Sequence, residues 1–479
     1  MKPILDNLFQ HSEDKVLIST FSGKYNAKNI MDEVHYFVSL LEDKELKKKR
    51  VGVLVPKLST YVALTLAINK LGGTVVPISW QLRKEDLTSV LQFMNPHIVF
   101  SVDEHNGFPF GETIENWAKE LKMETILYRQ TNNSDWSKSE FVGENKPLEE
   151  HEITFICTSS GSTGTPKGLV LSADLLDHVY QMLPNYGDFQ IADNVLINIP
   201  PTSFLGTMYL FYSLHSGTNM LYPETFDFPK MVNLMEENNC NKVISTPSIF
   251  KAIYQVAKGL NATIAKNIEL VGLGGENVQK DYISQFEDMN DCVFLSLYGT
   301  SEAGALASCD LRNSMEFTLV DNADYVIKDG ELLTKSKTSF VGYYKNPQLN
   351  KEIFDENGFI HTGDIVKEMP GRKFVILGRK KDMIKKGGQQ VIPGEVENVL
   401  EQHSSVERAV VLGAPHAVYG EQIVAFIIAN QQTDTKELSH YCTKKIAGYK
   451  VPDQIIFIEE VPMVNGKVDK VTLKKMYLN

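Results

Sequence analysis

The feature that most restricts how this chain can fold is an alternation. Up to about residue 300, short apolar runs take turns with stretches of helical spacing. Residues 51–55, VGVLV, read as a strand and 61–70 as a helix, after which Gly72-Gly73 turns the chain into a second run at 74–78. Further strand-like runs fall at 98–102, 125–128, 195–199, 242–245, 268–273 and 293–297, mostly with helical segments between them. Strands alternating with helices close most readily as parallel sheets covered by helices. The predicted class is therefore α/β, with a large N-terminal domain of parallel-rich sheets. In such folds ligands sit beyond the carboxyl ends of the strands. Two runs end suggestively: 268–273 meets Gly274-Gly275-Glu276, and 293–297 meets Tyr298-Gly299-Thr300-Ser301-Glu302.

Near residue 330 the texture changes. Runs at 331–334, 359–362 and 374–377, with turns between them, predict a small antiparallel or barrel-like subdomain. Gly378-Arg379-Lys380-Lys381-Asp382 is then a polar, basic break. Beyond it the spacing predicts a helix over 393–403, strands over 409–413 and 424–429, a helix over 436–445 and a strand over 454–458. These last residues, about 100 of them, make an α+β unit of ordinary domain size. The boundary is placed between 380 and 381, giving domains 1–380 and 381–479. The polar patch 130–139 reads as a surface loop.

Composition removes several function classes. A chain of 479 residues that is 43% apolar is ordinary globular material, too long for one small core. A net charge of −12 argues against a general nucleic-acid binder, which would show a basic surface. The five cysteines are odd in number and none is spaced as a zinc or redox pair, so buried thiols in a reducing compartment are expected. The opening MKPILDNLFQHSEDK meets charge too early for a secretory signal. No apolar run reaches the roughly 18 residues that would span a bilayer. A cytoplasmic location is expected.

One loop points to chemistry. TSSGSTGTPKG, residues 158–168, lies between apolar residues 155–157 and 169–171, so strand, polar loop, strand is the reading. Backbone N–H groups and hydroxyls can donate to phosphate oxygens, and Lys167 can offset their charge. It is not the Walker loop: Pro166 precedes the lysine and Gly168 follows it. The bland alternative is a structural turn, and phosphate binding is the stronger reading.

Taken with that loop, GGE (274–276), YGTSE (298–302), HTGD (361–364), GRKKDMIKKGG (378–388) and NGKVDK (465–470) follow in one order. In this the chain resembles the adenylate-forming superfamily of acyl-CoA synthetases, peptide-synthetase adenylation domains and firefly luciferase. It is most like an AMP-forming acyl-CoA ligase. The order carries the resemblance, since each motif alone is weak. It implies that a carboxylic acid is activated by ATP to acyl-AMP with loss of pyrophosphate. A thiol, coenzyme A, then takes the acyl group. It also implies a small mobile C-terminal domain and a need for Mg2+.

The resemblance carries over to particular residues. Ser159, Ser160, Gly161, Ser162, Thr163, Gly164 and Lys167 match the loop on the β- and γ-phosphates. Gly274, Gly275 and Glu276 match a nucleotide-binding turn. Tyr298 matches the aromatic that stacks on adenine, with Gly299, Thr300 and Ser301 beside it, and Glu302 matches the magnesium carboxylate. Asp364 matches the ribose-binding acid and Arg379 the nucleotide-contacting arginine. Lys467 matches the catalytic lysine that bridges substrate carboxylate and α-phosphate. Asp382 matches the hinge, and Gly387 and Gly388 match the glycines lining the thiol's path. The residue types suit these tasks. Carboxylate and triphosphate repel, so cations must bring them together. Magnesium needs only one or two carboxylates besides phosphate oxygens, and an aspartate offers two acceptors to two hydroxyls. Without their neighbours, Tyr298 would read as core, Asp364 as a turn residue and Lys467 as a solvated loop lysine.

Departures from the family pattern are informative. In PPTSFLG, residues 200–206, Ser203 stands where many acyl-CoA synthetases carry histidine. No acid lies between 199 and 222 to hold a substrate ammonium, and a buried ammonium without a counter-charge is costly. An α-amino acid is therefore not the expected substrate. Phe204, Leu205, Met208, Leu210 and Phe211 suggest an apolar pocket wall, although most of the five read better as helix core; Ser203 and Phe204 are the candidates for the acyl pocket. The interval from Glu302 to Glu331 is shorter than the family's. A phosphopantetheinyl carrier protein is an alternative acceptor to coenzyme A. A non-catalytic binding relative is the alternative from a different class.

Overall fold

The structure, a computed structural model, describes residues 11–131, 135–147, 153–160, 166–276, 278, 282–464 and 467–478. They pack as two compact units. One holds the described residues up to Met315 with Val320–Ala323 and Lys335–Phe354; the other holds Glu316–Leu319, Asp324–Thr334 and the described residues from Asp355 onward.

The first unit contains two sheets. In one, Thr74–Pro77, Arg50–Leu54, Ile98–Val102 and Thr125–Gln130 run parallel in that spatial order. Arg50–Leu54 lies at its centre and is buried along its whole length, as a strand covered on both faces must be. Phe155–Ser160 joins beside Thr74–Pro77, followed outward by Pro166–Leu171 and Gly342–Tyr343, both antiparallel to their neighbours. In the other sheet Asn219–Leu221, Asn194–Ile197, Lys242–Ser245, Leu270–Gly274 and Val293–Thr300 are parallel, and Gly304–Asp310 folds back on the last of them. Two helices, Leu58–Lys70 and Phe204–Ser216, are buried nearly all round, because each is enclosed. The Phe211 ring meets Phe155 of one sheet, while the same helix packs on Asn219–Leu221 of the other. Met208, Leu210 and Phe211 are accordingly core.

The second unit begins with antiparallel strands. Ile360–Met369 pairs with Glu331–Ser336 on one side and Lys373–Arg379 on the other, and Phe317–Leu319 adds to the latter. Residues 384 to 457 form a five-stranded sheet around the long hairpin Val406–His416 and Gly420–Ala429. Side chains alternate across it. Val411, Ile423, Ala425 and Ile427 face a core shared with the helices Pro393–Glu401 and Thr435–Lys445. Val410, Leu412, Val424 and Phe426 face Leu473 of the helix Lys470–Tyr477. Both faces being covered, the hairpin reads in sequence as two nearly continuous apolar runs.

Two expectations need correction. The patch 130–139 is not simply loop: Trp136–Phe141 is a strand, antiparallel to Thr125–Gln130 in the register Gln130↔Trp136 to Thr125↔Phe141. It lies at a sheet edge, where charged side chains guard against mispairing and mask the strand pattern. The strand-to-loop exits also come later than read. Gly274 is still strand, and Val293–Thr300 takes in Tyr298, Gly299 and Thr300. All five cysteines are free and buried. No helix among the described residues is long and apolar enough to cross a membrane.

Candidate active site

In the first unit the site is built on strand ends. The strands that flank the glycine-rich segment are antiparallel: Ser159 pairs with Lys167 and Ser160 with Pro166. Gly161, Ser162, Thr163 and Gly164 lie outside the described residues. Next to Lys167 runs the short strand Gly342–Tyr343, in register Tyr343↔Leu169. The Lys167 ammonium sits over the Tyr343 ring, 5.6 Å from its centroid. The Tyr343 hydroxyl donates to Glu302 Oε1 at 2.6 Å. One phenol thus touches the lysine of the first motif and the carboxylate of the third. Burial, and then the Glu302 carboxylate, push the Tyr343 phenol well up, so it stays protonated and donates.

Glu302 is presented by a tight hairpin turn between Val293–Thr300 and Gly304–Asp310. Its carbonyl accepts from the Phe340 N–H at 2.9 Å. Thr300 Oγ1 accepts from the Ala303 N–H at 2.9 Å, which leaves Ser301 and Glu302 at the tip. The pairing shifts register between Tyr298 and Gly299. There a Cβ on Gly299 would overlap the Gly304 carbonyl oxygen, so only glycine lets the strands close. Tyr298 is buried.

Gly274 ends the neighbouring strand, Gly275 follows it at φ +83°, and Glu276 reaches the first turn of the helix Pro247–Gly259. Its Oε2 accepts from Ser248 Oγ at 2.5 Å and from the Ser248 N–H at 3.2 Å. A carboxylate is favourable at a helix N-terminus. Ser203 caps Phe204–Ser216: its hydroxyl donates to the Pro200 carbonyl at 2.8 Å and accepts from the Gly206 N–H at 3.1 Å. Phe204 is buried.

The second unit holds the other predicted residues. Asp364 and Arg379 are cross-strand partners, joined by Arg379 Nε to Asp364 Oδ1 at 2.9 Å, while Arg379 Nη1 donates to the Thr362 carbonyl at 3.0 Å. Asp364 is buried. On the neighbouring strand lies Glu331, whose side chain is 4% exposed. It accepts from the Gly363 N–H at 3.1 Å and from Lys380 Nζ at 2.7 Å, and it meets His361 Nδ1 at 3.1 Å. Burial alone would raise its carboxyl; the hydrogen bonds from Lys380 and His361 outweigh that and hold it below the ordinary value.

Asp382 ends a short 3-10 turn directly after Lys373–Arg379 and pairs with Lys470. Lys470 opens the last helix, three residues after Lys467. Lys467 lies in a two-residue strand in register with Val464, and its side chain is outside the description. Gly387 and Gly388 join Ile384–Lys386 to Gln389–Val391 with φ of +56° and +79°. A two-residue hairpin turn of this kind favours glycine at both places.

Against this geometry the comparisons are direct. The AMP-binding enzyme family matches residues 6–344, more than half of the chain, and its C-terminal domain matches residues 395–467. The chain belongs to the AMP-binding enzyme family. This AMP-binding enzyme is 26% identical over 448 residues to a fatty acid–[acyl-carrier-protein] ligase of Streptomyces coeruleorubidus, covering 88% of this chain and 85% of that one. It is 25% identical over 458 residues to a long-chain-fatty-acid–CoA ligase of Mycobacterium tuberculosis, covering 90% and 88%. Its fold matches ATP-bound MatB from Rhodopseudomonas palustris with a TM-score of 0.82 at 22% identity, over 99% of this chain and 98% of that one.

Three residues of the AMP-binding enzyme escaped sequence reading. Tyr343 and Asn350, whose amide meets the Tyr343 N–H at 2.7 Å and the Tyr343 carbonyl at 3.1 Å, lie in VGYYKNPQLN, which carries no phosphate-like signature. Glu331 opens an apolar run and reads only as a strand start. Its signal was an acid leading a run that was otherwise expected to be buried.

Proposed function

We propose that the protein is an ATP-dependent carboxylate–thiol ligase. A carboxylate oxygen of a fatty or other non-amino acid attacks the α-phosphorus of ATP, the bridge to the β-phosphate breaks, and acyl-AMP and pyrophosphate result. A thiol sulfur then attacks the acyl carbonyl, losing its proton, the bond from the acyl carbon to the AMP oxygen breaks, and thioester and AMP result. The observation that carries this reading is the link through Tyr343 between Lys167 and Glu302, a cation for departing pyrophosphate beside an anion for its metal. Asp364 and Arg379 are assigned to the ribose and phosphate of the nucleotide, and Lys467 to the meeting of substrate carboxylate and α-phosphate. Ser203 and Phe204 are assigned to the acyl pocket. We assign residues 381–479 to a body that turns about Asp382 between the two steps, bringing Gly387 and Gly388 to the thiol.

Magnesium takes one or two carboxylates and completes its shell with phosphate oxygens and water. No group of three or more His, Cys, Asp or Glu among the described residues could hold a metal by itself. Glu302, with one oxygen engaged by a neutral phenol, fits that mode. When bound, the ion supplies charge neutralisation at the phosphates.

Coenzyme A is the proposed acceptor. A phosphopantetheinyl carrier protein is the second reading, favoured by the naming of the Streptomyces relative. The test is pyrophosphate release with a panel of acids, each with coenzyme A, with a phosphopantetheinylated carrier, and with neither. Fatty or aromatic acids should release pyrophosphate and give thioester in one thiol arm. Release with α-amino acids, or with no acid at all, defeats the reading. Lys467→Ala should slow adenylation by about 10²-fold or more, as loss of a charge-stabilising group does. Thioester formation from supplied acyl-AMP should suffer far less, and equal loss in both steps removes Lys467 from its role.

A further inference from the structure

The segment that carries Tyr343 is stapled to both halves of the phosphate site. Val341 N–H donates to the Val170 carbonyl and Tyr344 N–H to the Gly168 carbonyl, each at 2.8 Å, tying it to the strand of Lys167. Phe340 N–H donates to the Glu302 carbonyl, tying it to the other turn. Asn350, from the helix Pro347–Ile353, clamps Tyr343 itself. Its Oδ1 accepts from the Tyr343 N–H at 2.7 Å and its Nδ2 donates to the Tyr343 carbonyl at 3.1 Å. The Phe340 ring stands edge-on to the Tyr343 ring at 5.0 Å. Tyr343 is 6% exposed, so its ring has one place to be.

The phenol touches two opposite charges. Among the described residues Lys167 and Glu302 form no ion pair with each other; the ring lies under one and the hydroxyl reaches the other. A direct pair would offset both charges before a ligand arrived. A cationic donor in place of tyrosine would likewise offset Glu302. A neutral donor orients the carboxylate and leaves its charge intact, and an aromatic face holds an ammonium without consuming it.

We propose that Tyr343 is a positioning residue that holds Glu302 and Lys167 as two separate charges, oriented for a divalent cation and for the pyrophosphate end of a nucleoside triphosphate respectively. The proposal rests on the assignment of those two residues made above. A fluorine-free, shape-preserving change is available in Tyr343→Phe, which keeps the ring under Lys167 and removes the donor to Glu302. Tyr343→Leu removes both.

The test measures the Mg2+ concentration for half-maximal pyrophosphate release, and calorimetric binding of ATP with and without Mg2+. It uses the full chain and the variants Tyr343→Phe, Tyr343→Leu, Glu302→Gln and the Phe/Gln double change. Melting midpoints are taken for each. Tyr343→Phe should raise the Mg2+ requirement about tenfold, the usual effect of losing a hydrogen bond to a charged group. Binding of Mg2+-free ATP should be unchanged. Tyr343→Leu should in addition weaken Mg2+-free ATP about threefold or more. On the Glu302→Gln background, Tyr343→Phe should add less than about twofold, because non-additivity marks action through a shared group. If Glu302→Gln raises the Mg2+ requirement and Tyr343→Phe does not, the positioning role is overturned. If neither does, the assignment of Glu302 fails instead, and the proposal with it. If Tyr343→Phe lowers the melting midpoint and both ATP affinities together, Tyr343 is structural and the proposal is again overturned.

Discussion

Glu302 in the first unit and Glu331 in the second are two carboxylates with opposite surroundings. Glu302 sits at a turn tip, and its one side-chain donor among the described residues is a neutral phenol. Glu331 is buried beside the His361-Thr362-Gly363-Asp364 stretch of strand, with an ammonium, an imidazole and a backbone N–H converging on it. An ionised carboxylate can accept about four hydrogen bonds. Glu302 keeps most of that capacity, which a ligand can use. Glu331 has used most of its own to fix the shape of the strand that bears Asp364. The difference separates an acid left open to a ligand from one committed to the strand that bears Asp364.

The sharpest way to break this contrast is Glu302→Gln. Shape is kept and charge is lost, so Mg2+-dependent ATP turnover should fall by about 10²–10³-fold, with the melting midpoint within a few degrees of wild type. Unchanged activity across a Mg2+ titration would put Glu302 in the same class as Glu331. The next largest effect is expected from Glu331→Ala. It leaves Lys380 and the Gly363 N–H without their acceptor and should cost about 1–3 kcal/mol, read by urea denaturation. Nucleotide affinity should weaken as well, through the displaced Asp364. Lost affinity at full stability would mean that Glu331 meets the ligand itself.

The smallest effects are in the pH profile of stability. The Glu331 carboxyl is held below its ordinary value by Lys380 and His361, against the upward pull of burial. Its contribution is therefore present above the ordinary carboxylate range and is lost as pH falls through the folded-state value. Glu397 behaves oppositely. Burial pushes it from 4.5 to about 7, although the Val411 N–H donates to it. Its proton is favoured in the folded state, so that contribution is present below 4.5 and is lost as pH rises towards about 7. Glu331→Gln should flatten the acid limb and Glu397→Gln the limb above it. Denaturation midpoints across pH check both, and an exchange of the two effects would reverse their assignment.

The parallel sheets were legible because strands buried on both faces appear as short apolar runs between helical stretches. The edge strand Trp136–Phe141 was not, because an edge carries polar residues whatever its backbone does. The candidate site was legible where residues sit inside an ordered motif, as at Lys167 and Glu302, which both meet Tyr343, and at Asp364, which pairs with Arg379. It was illegible where a residue works through its neighbour. Tyr343 is 176 positions from Lys167 and 41 from Glu302 by their numbers, and only the pairing of Gly342–Tyr343 with Pro166–Leu171 brings it between them. Gly387 and Gly388 show the converse limit. Their pattern marks a thiol path by resemblance, while a tight hairpin turn alone already favours glycine at both.

The five buried thiols matter for how the proposed turn about Asp382 can be tested. Burial pushes them up, to about 12 at Cys157, Cys240 and Cys292 and about 11 at Cys309 and Cys442. Thiolate is the species that maleimide dyes capture, and at neutral pH these sulfurs offer almost none of it behind a wall of side chains. The unaltered chain is thus a dark background for fluorescent labelling. One cysteine introduced at Val142, 94% exposed in the first unit, and another at Val418, 78% exposed in the second, would take a donor and an acceptor dye on their own. A change in energy transfer between them during turnover would support the proposed turn, and a constant signal would count against it, without removing a single native cysteine.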